Sequence, residues 1–305
     1  MKKFNIAYNI NGVEVQESLT DSLFTFMDGS IRVKLSPEMF RGALSCEYAQ
    51  EFKISAYITG LDDLMVVSQI VDILKRNTRV TPTFTLQITS PAYARYDRVM
   101  LDEKNDGFGL LSFVKFIVAT GVDSVELYDP HSDMFKRLLE AHDLKVGVVH
   151  QKVLFNSTTD GKHDYIRVYP DKGSLNKQFG SGYAPVVFHK HRNPETSRIT
   201  AIECVEGRGI LSSEQDAPFI IIDDICEGGG TFLGVAKEFW KLSHSANELE
   251  LYITHGLMTK TSIPDLFNTG MFSKIYVCIM KESTYDAIPE VFKGRIVVKH
   301  LVEGL

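Results

Sequence analysis

Apolar residues along this chain recur with two periods, every second residue in some stretches and three to four apart in others, and the switches between them outline its elements. KFNIAYNINGVEVQESL, at 3–19, alternates on both sides of Asn11-Gly12, a dipeptide suited to a two-residue hairpin turn. IRVKL continues as a short strand, residues 51–59 predict another, 61–76 an amphipathic helix, and Phe84–Ile88 a further strand. GLLSFVKFIVAT at 109–120 reads as a helix, with SVELYD as the strand after it. Near residue 147 the pattern starts again, with a strand at 146–149, the polar stretch NSTTDGKHD, and the strand YIRVYP running through a loop into a helix at DKGSLNK. Val186–Phe188 form a short apolar strand, after which His189-Lys190-His191-Arg192 are expected to enter a polar loop. Phe219–Ile222 predict a buried strand, followed by Asp223, Asp224, three glycines and the periodic helix TFLGVAKEFWKL; ELELYITHGL and the apolar runs at 274–279 and 295–301 supply the last strands.

Strands alternating with helices imply βαβ units and parallel sheets. The restart places a boundary at 145–150 and divides the chain into halves 1–147 and 148–305, each with its own sheet. A length of 305 residues is enough for a sizeable core in both. No apolar run approaches the length of a membrane span and MKKFNIAYNI lacks a signal-peptide core, so a cytoplasmic protein with no membrane partner is expected. Cys46, Cys204, Cys226 and Cys278 are scattered without C-x-x-C spacing, which indicates neither a zinc site nor a disulfide framework. The net charge of −6 argues against a nucleic-acid surface. A polyanionic substrate would be held locally, by a few basic side chains, backbone amides and magnesium.

The stretch with the most chemistry is FIIIDDICEGGGTFL at 219–233. A buried strand, a glycine turn and a helix N-terminus gather backbone N–H groups at the positive end of a helix dipole, where an anion gains roughly 0.3–2 kcal/mol. Such a turn also occurs for packing alone. The acidic pair before it repels phosphate but accepts hydrogen bonds from sugar hydroxyls, and a phosphate beside a diol describes a phosphorylated ribose. No GxxxxGK[ST] occurs anywhere in the chain, and no GxGxxG follows a strand.

DDICEGGGT resembles the ribose-phosphate signature of type I phosphoribosyltransferases and of the ribose-phosphate pyrophosphokinases. Four further stretches favour the second family. Phe26-Met27-Asp28-Gly29-Ser30 is similar to its F-x-[DN]-G-E turn for the adenine of ATP, with Ser30 in place of Glu. Tyr93-Ala94-Arg95-Tyr96-Asp97-Arg98 is similar to its Y-A-R-Q-D-R loop for ATP, with Tyr96 in place of Gln; by spacing alone Arg95 and Arg98 would pair with Asp97 and Asp102. Asp129-Pro130-His131 matches its D-L-H element for the magnesium–ATP phosphates, and Pro170-Asp171-Lys172-Gly173-Ser174 its P-D-x-G-G pyrophosphate loop, with Ser174 in place of Gly. His189 and His191 by themselves define no metal site; Lys190-His191-Arg192 matches the K-R-R at the root of the family's mobile catalytic loop, with His191 in place of the central Arg.

The resemblance implies two tandem type I phosphoribosyltransferase-like α/β domains and a magnesium-dependent transfer of the diphosphoryl group of ATP to a ribose 5-phosphoryl acceptor. It implies catalytic roles for Lys190 and Arg192, ATP contacts from Phe26, Asp28, Arg95, Tyr96, Arg98 and His131, and magnesium held through His131 and Asp171. Asp223 and Asp224 would hold the ribose hydroxyls and Glu227, Gly228, Gly229, Gly230 and Thr231 the phosphate. An adenine site shared between subunits implies a homo-oligomer, a dimer or hexamer. Family members usually read D-T-G-G-T in this loop; Gly228 here removes a hydroxyl and leaves room for a substituted phosphate, so ADP-ribose is the alternative acceptor. A catalytically idle regulatory homologue is the alternative from another class, and a true phosphoribosyltransferase stands third.

Overall fold

The computed structural model describes residues 1–10, 13–19, 22–44, 51–99, 107–161, 164–177, 182–193, 199–213, 215–243, 248–259 and 262–303. The chain divides into two compact units, one of Met1–Val149 together with Val302–Leu305, the other of His150–Leu301. The C-terminal residues placed in the second half from sequence thus group with the first unit.

The first unit contains β1 (Phe4–Ile10), β2 (Val13–Ser18), β3 (Leu23–Thr25), β4 (Ile31–Val33), α1 (Pro37–Leu44), β5 (Glu51–Ala56), α2 (Leu61–Asn77), β6 (Thr83–Ile88), α3 (Gly109–Ala119), β7 (Ser124–Tyr128), α4 (Asp133–Glu140) and β8 (Lys145–Val149). Its main sheet has the order β2-β1-β5-β6-β7-β8. Strands β5 to β8 are parallel, while β1 runs antiparallel to both β5 and β2. The β1–β2 register joins Ile10 to Val13, as the alternating pattern requires, although Asn11 and Gly12 lie outside the described residues. Phe52 and Ile54 of β5, Phe84 and Leu86 of β6, Val67 and Ile70 of α2, and Phe113 and Ile117 of α3 form one apolar core. β3 and β4 form a separate two-stranded hairpin.

The second unit contains α5 (Gln151–Thr158), β9 (Ile166–Tyr169), α6 (Lys172–Asn176), β10 (Val186–Arg192), β11 (Ile199–Glu206), α7 (Arg208–Leu211), β12 (Phe219–Cys226), α8 (Gly230–Leu242), β13 (Leu249–Gly256), α9 (Ser262–Asn268), β14 (Lys274–Lys281), α10 (Glu282–Asp286), α11 (Glu290–Lys293) and β15 (Ile296–Val302). Its sheet has the order β11-β10-β9-β12-β13-β14-β15, parallel from β10 through β14, with β11 antiparallel at one edge. All eight residues of β13 are buried, Glu250, Thr254 and His255 among them. Phe232, Val235, Ala236 and Phe239 of α8 follow i, i+3, i+4, i+7 spacing and bury one stripe against the sheet.

Two expectations are corrected. His189–Arg192 do not enter a loop: β10 continues through them because β11 pairs with it, His189 opposite Glu203 and Lys190 opposite Ile202. Cross-strand hydrogen bonds supply the order that an apolar pattern would otherwise signal. Likewise β12 does not end at Ile222 but runs through Asp223 and Asp224 to Cys226, because β13 pairs alongside as far as Gly256. Cys204, Cys226 and Cys278 are buried free thiols, and Cys46 lies outside the described residues. No helix among the described residues is long and apolar enough to cross a membrane.

Ile221 is wholly buried in β12 between β9 and β13. Ile221→Ala should destabilise the second unit by about 2–5 kcal/mol. Trp240, the single tryptophan of the chain, lies in α8 and reports that unit, so the loss is read as a lower guanidinium midpoint of Trp240 fluorescence.

Candidate functional site

In the second unit the glycine loop connects β12 to α8. Gly229 takes φ +75 as the residue preceding α8, a conformation that favours glycine, and a Cβ there would approach Leu266 Cγ at 3.3 Å. Gly228 and Gly230 are different. Neither has a positive φ, both are exposed, and a Cβ on either meets nothing within 4 Å. Neither backbone strain nor packing requires glycine at these two positions, and open space lies over the loop at the N-terminus of a 13-residue helix. Glu227 is exposed, its carbonyl accepting from Thr259 N at 3.3 Å, and Thr231 is half-buried in the first turn of α8.

Beside this loop two aspartates, Asp224 and Asp171, each meet a lysine. The Asp224 side chain is 7% exposed, and its Oδ2 lies 2.9 Å from Lys177 Nζ. Asp171, between β9 and α6, caps α6: its Oδ1 accepts from Ser174 N at 2.9 Å, while Asp171 N donates back to Ser174 Oγ at 3.3 Å. Ser174, the departure from the glycine of the related loop, is the partner in that capping box. Asp171 Oδ2 lies 2.5 Å from Lys190 Nζ, whose side chain is 13% exposed. Asp223 Oδ1 accepts from Asp224 N at 3.1 Å.

The charges follow from this arrangement. Burial pushes the Asp223 carboxyl up to about 8, helped by the neighbouring Asp224 and Asp171 and opposed by Lys190. Burial also acts to raise Asp171, but the Lys190 ammonium and the Ser174 hydrogen bonds outweigh it and hold that carboxyl below its ordinary value. Asp171, Asp223, Asp224 and Lys190 therefore form one electrostatic cluster, with Lys177 attached through Asp224. Arg192 ends β10 with its backbone paired to Ile199, and its side chain lies outside the described residues. His191 does not reproduce a third cation aimed at this cluster; its Nε2 lies 2.8 Å from Glu203 Oε1 on the exposed β10–β11 ribbon, and its ring stands edge-on to His189 at 4.7 Å.

The first unit carries the other candidates. Phe26 to Ser30 form the turn between β3 and β4, closed by Phe26 N to Ser30 O at 2.8 Å. Asp28 accepts from the Ser30 hydroxyl at 2.7 Å and the Ser30 amide at 3.0 Å, which lowers its carboxyl from the ordinary value. Phe26 is exposed against Phe24 in an edge-on pair at 4.9 Å, and Met27 is fully exposed. The turn after β6 buries Ala94 and stacks Tyr93 on Phe113 at 4.7 Å, leaving Arg95, Tyr96 and Arg98 exposed. Arg98 Nε lies 4.0 Å from Asp97 Oδ1; Asp102, the other partner that spacing suggested, lies outside the described residues. A small cleft lined by Ser90, Pro91, Ala92, Tyr128, Pro130 and Phe135 brings this turn next to the one that holds His131. His131 is exposed just before α4, and the buried Asp129 takes φ +41 to turn the chain there.

Sequence reasoning missed Lys177. The one available signal was a basic residue closing DKGSLNK six positions after Asp171, and nothing in that spacing points the lysine at a strand some fifty residues further along the chain.

No family model matches the sequence. Among curated proteins, the chain is 25% identical over 238 residues to the ribose-phosphate pyrophosphokinase of Mycoplasma pneumoniae, covering 75% of this chain and 68% of that protein. It is 27% identical over 220 residues to the ribose-phosphate pyrophosphokinase of Hyphomonas neptunium, covering 66% and 62%. The chain is thus similar to ribose-phosphate pyrophosphokinases, with identity at about a quarter of the aligned positions. The crystal structure of phosphoribosylpyrophosphate synthetase from Mycobacterium smegmatis superposes with a TM-score of 0.62 at 18% identity, over 92% of this chain and 85% of that one. The fold of this relative, mostly parallel sheets flanked by helices in two domains, is thus the fold of the synthetase.

Asp223 also makes a stability statement. With an unfolded value near 3.9, the native state holds a proton that the unfolded state lacks between about pH 4 and pH 8, so stability falls as pH rises through that window. Asp223→Asn should therefore raise Tm more at pH 8.5 than at pH 5. Calorimetry at the two pH values checks this, and an equal change at both would remove the buried-carboxyl assignment.

Proposed function

We propose that this protein transfers the β,γ-diphosphoryl group of ATP to the anomeric 1-hydroxyl of a ribose 5-phosphoryl acceptor, releasing AMP. The observation that carries this reading is the pair Gly228 and Gly230, glycines required by neither φ nor packing, set at a helix N-terminus beside two carboxylates. The amides of residues 228 to 231 cradle the 5-phosphoryl group, with Glu227 in place of the family's loop aspartate, and Asp223 and Asp224 accept from the ribose hydroxyls. ATP is assigned to the first unit, where Phe26 and Asp28 present the exposed turn, Arg95, Tyr96 and Arg98 the loop after β6, and His131 the adjoining turn.

In the reaction the acceptor O1 attacks the β-phosphorus, the bond from that phosphorus to the bridging oxygen of AMP breaks, and charge gathers on the equatorial and leaving oxygens. Lys190, with Arg192 on the same strand, stabilises that charge. In the resting protein Asp171 holds the Lys190 ammonium in place, so the cation is stored close to the ribose carboxylates rather than free in solvent. Of the residues expected to hold magnesium, His131 and Asp171, the Asp171 carboxylate offers the oxygen donors that suit such a hard divalent cation, and no three metal-ligating side chains converge on one point among the described residues. Magnesium, when bound with ATP, would supply neutralisation of the phosphate charge. No general base is assigned, since positioning and charge stabilisation carry most of such a transfer. The exposed Phe24, Phe26 and Met27 support a homo-oligomer in which a second copy covers this turn.

AMP release from magnesium–ATP, run in parallel with ribose 5-phosphate and ADP-ribose, tests the reading. Lys190→Ala should lose about a thousandfold in turnover while still binding ATP. Silence of the wild type with both acceptors would point instead to a regulatory homologue.

The second reading, ADP-ribose as acceptor, is favoured by one observation: the space over Gly228 is open where a threonine side chain would otherwise stand. Gly228→Thr should shift the ratio of kcat/KM toward ribose 5-phosphate by about tenfold, since the added hydroxyl donates to a terminal dianion and crowds a substituted phosphate. An unchanged ratio would remove Gly228 as the determinant.

A further inference from the structure

The Lys177–Asp224 pair joins two elements that are distant in sequence, the end of α6 and the middle of β12. Asp224 is nearly inaccessible and stands next to another acid, Asp223, so a cation beside its carboxylate offsets both burial and repulsion. Lys190 is engaged elsewhere, 2.5 Å from Asp171. Lys177 supplies that cation at 2.9 Å, with 22% of its side chain exposed, so its stem is packed while its ammonium bonds to the carboxylate.

We infer that Lys177 is a positioning residue for acceptor recognition: its ion pair with Asp224 holds that carboxylate oriented so that it can accept from the ribose hydroxyls. This rests on the acceptor reading above. Lys177 does not act on the transferring phosphorus; it acts through Asp224, and its loss is therefore a loss of ground-state and transition-state binding alike. Without the ammonium, the Asp224 carboxylate loses the contact that orients it, which weakens its acceptance of a hydroxyl. The pair also divides the labour of the two lysines, since Lys190 serves the diphosphoryl group and Lys177 serves the sugar.

The test compares Lys177→Met, which keeps the stem, with Lys177→Arg, which keeps the charge, in the full chain. Lys177→Met should raise the KM for the acceptor at least about tenfold, with kcat within about twofold and the KM for ATP unchanged. Lys177→Arg should restore most of the loss, and in an Asp224→Asn background Lys177→Met should add little further. A fall in kcat with an unchanged acceptor KM would overturn the assignment, as would an unchanged acceptor KM in Lys177→Met at unchanged Tm. The carboxyl carbon resonance of Asp224 in the ligand-free protein gives a readout that needs no acceptor. If the wild type turns over and neither that resonance nor the acceptor KM responds to Lys177→Met, the positioning role alone fails. If the resonance moves but the wild type accepts neither ribose 5-phosphate nor ADP-ribose, the acceptor reading fails and takes the positioning role with it.

Discussion

Asp171, Asp223 and Asp224 belong to one electrostatic cluster, and their mutual repulsion is the constraint on which the site in the second unit depends. Three ionised carboxylates cannot be kept close together in a protein interior without compensation. Here the compensation is divided: Lys190 neutralises Asp171, Lys177 neutralises Asp224, and Asp223 is pushed toward its protonated form. Each ion pair also links elements, β10 to the loop before α6 and α6 to β12. The ion pairs of this cluster thus also fix the local packing of the elements that carry them.

The glycine loop shows the opposite economy. Its shape depends on one residue, Gly229, which turns the chain at positive φ and packs against Leu266. Gly228 and Gly230 contribute by lacking side chains over an open surface. Three consecutive glycines therefore have two different physical roles, one conformational and two steric, and the steric pair leaves the surface of the loop open.

Departures from the related sequences also acquire physical content. Ser30 holds Asp28 through its hydroxyl and amide, so the turn between β3 and β4 is ordered from within by the residue that replaces a glutamate. Ser174 completes a capping box with Asp171 and thereby leaves the Oδ2 of that carboxylate directed at Lys190. His191 is paired to Glu203 on the exposed ribbon and adds no cation to the cluster. Two of these substitutions preserve local order by new hydrogen bonds, and the third changes the charge distribution on β10.

The sequence by itself determined the α/β class, the restart of the pattern near residue 147 and the strand, glycine turn and helix at 219–242, because buried parallel strands and amphipathic helices leave their periods in the order of residues. Asp223 and Asp224 were nameable from their place between an apolar run and a glycine turn, whereas Asp171 and Lys190 were named through the resemblance of their loops to family elements. Tertiary structure decided what a one-dimensional pattern does not encode. The β10–β11 pairing kept His189–Arg192 in a strand, and pairing with β13 drew Asp223 and Asp224 into β12, both through hydrogen bonds to distant segments. Which lysine meets which carboxylate was likewise set by the side-by-side packing of β9, β10 and β12, which brings Lys177 to Asp224 across 47 positions of sequence.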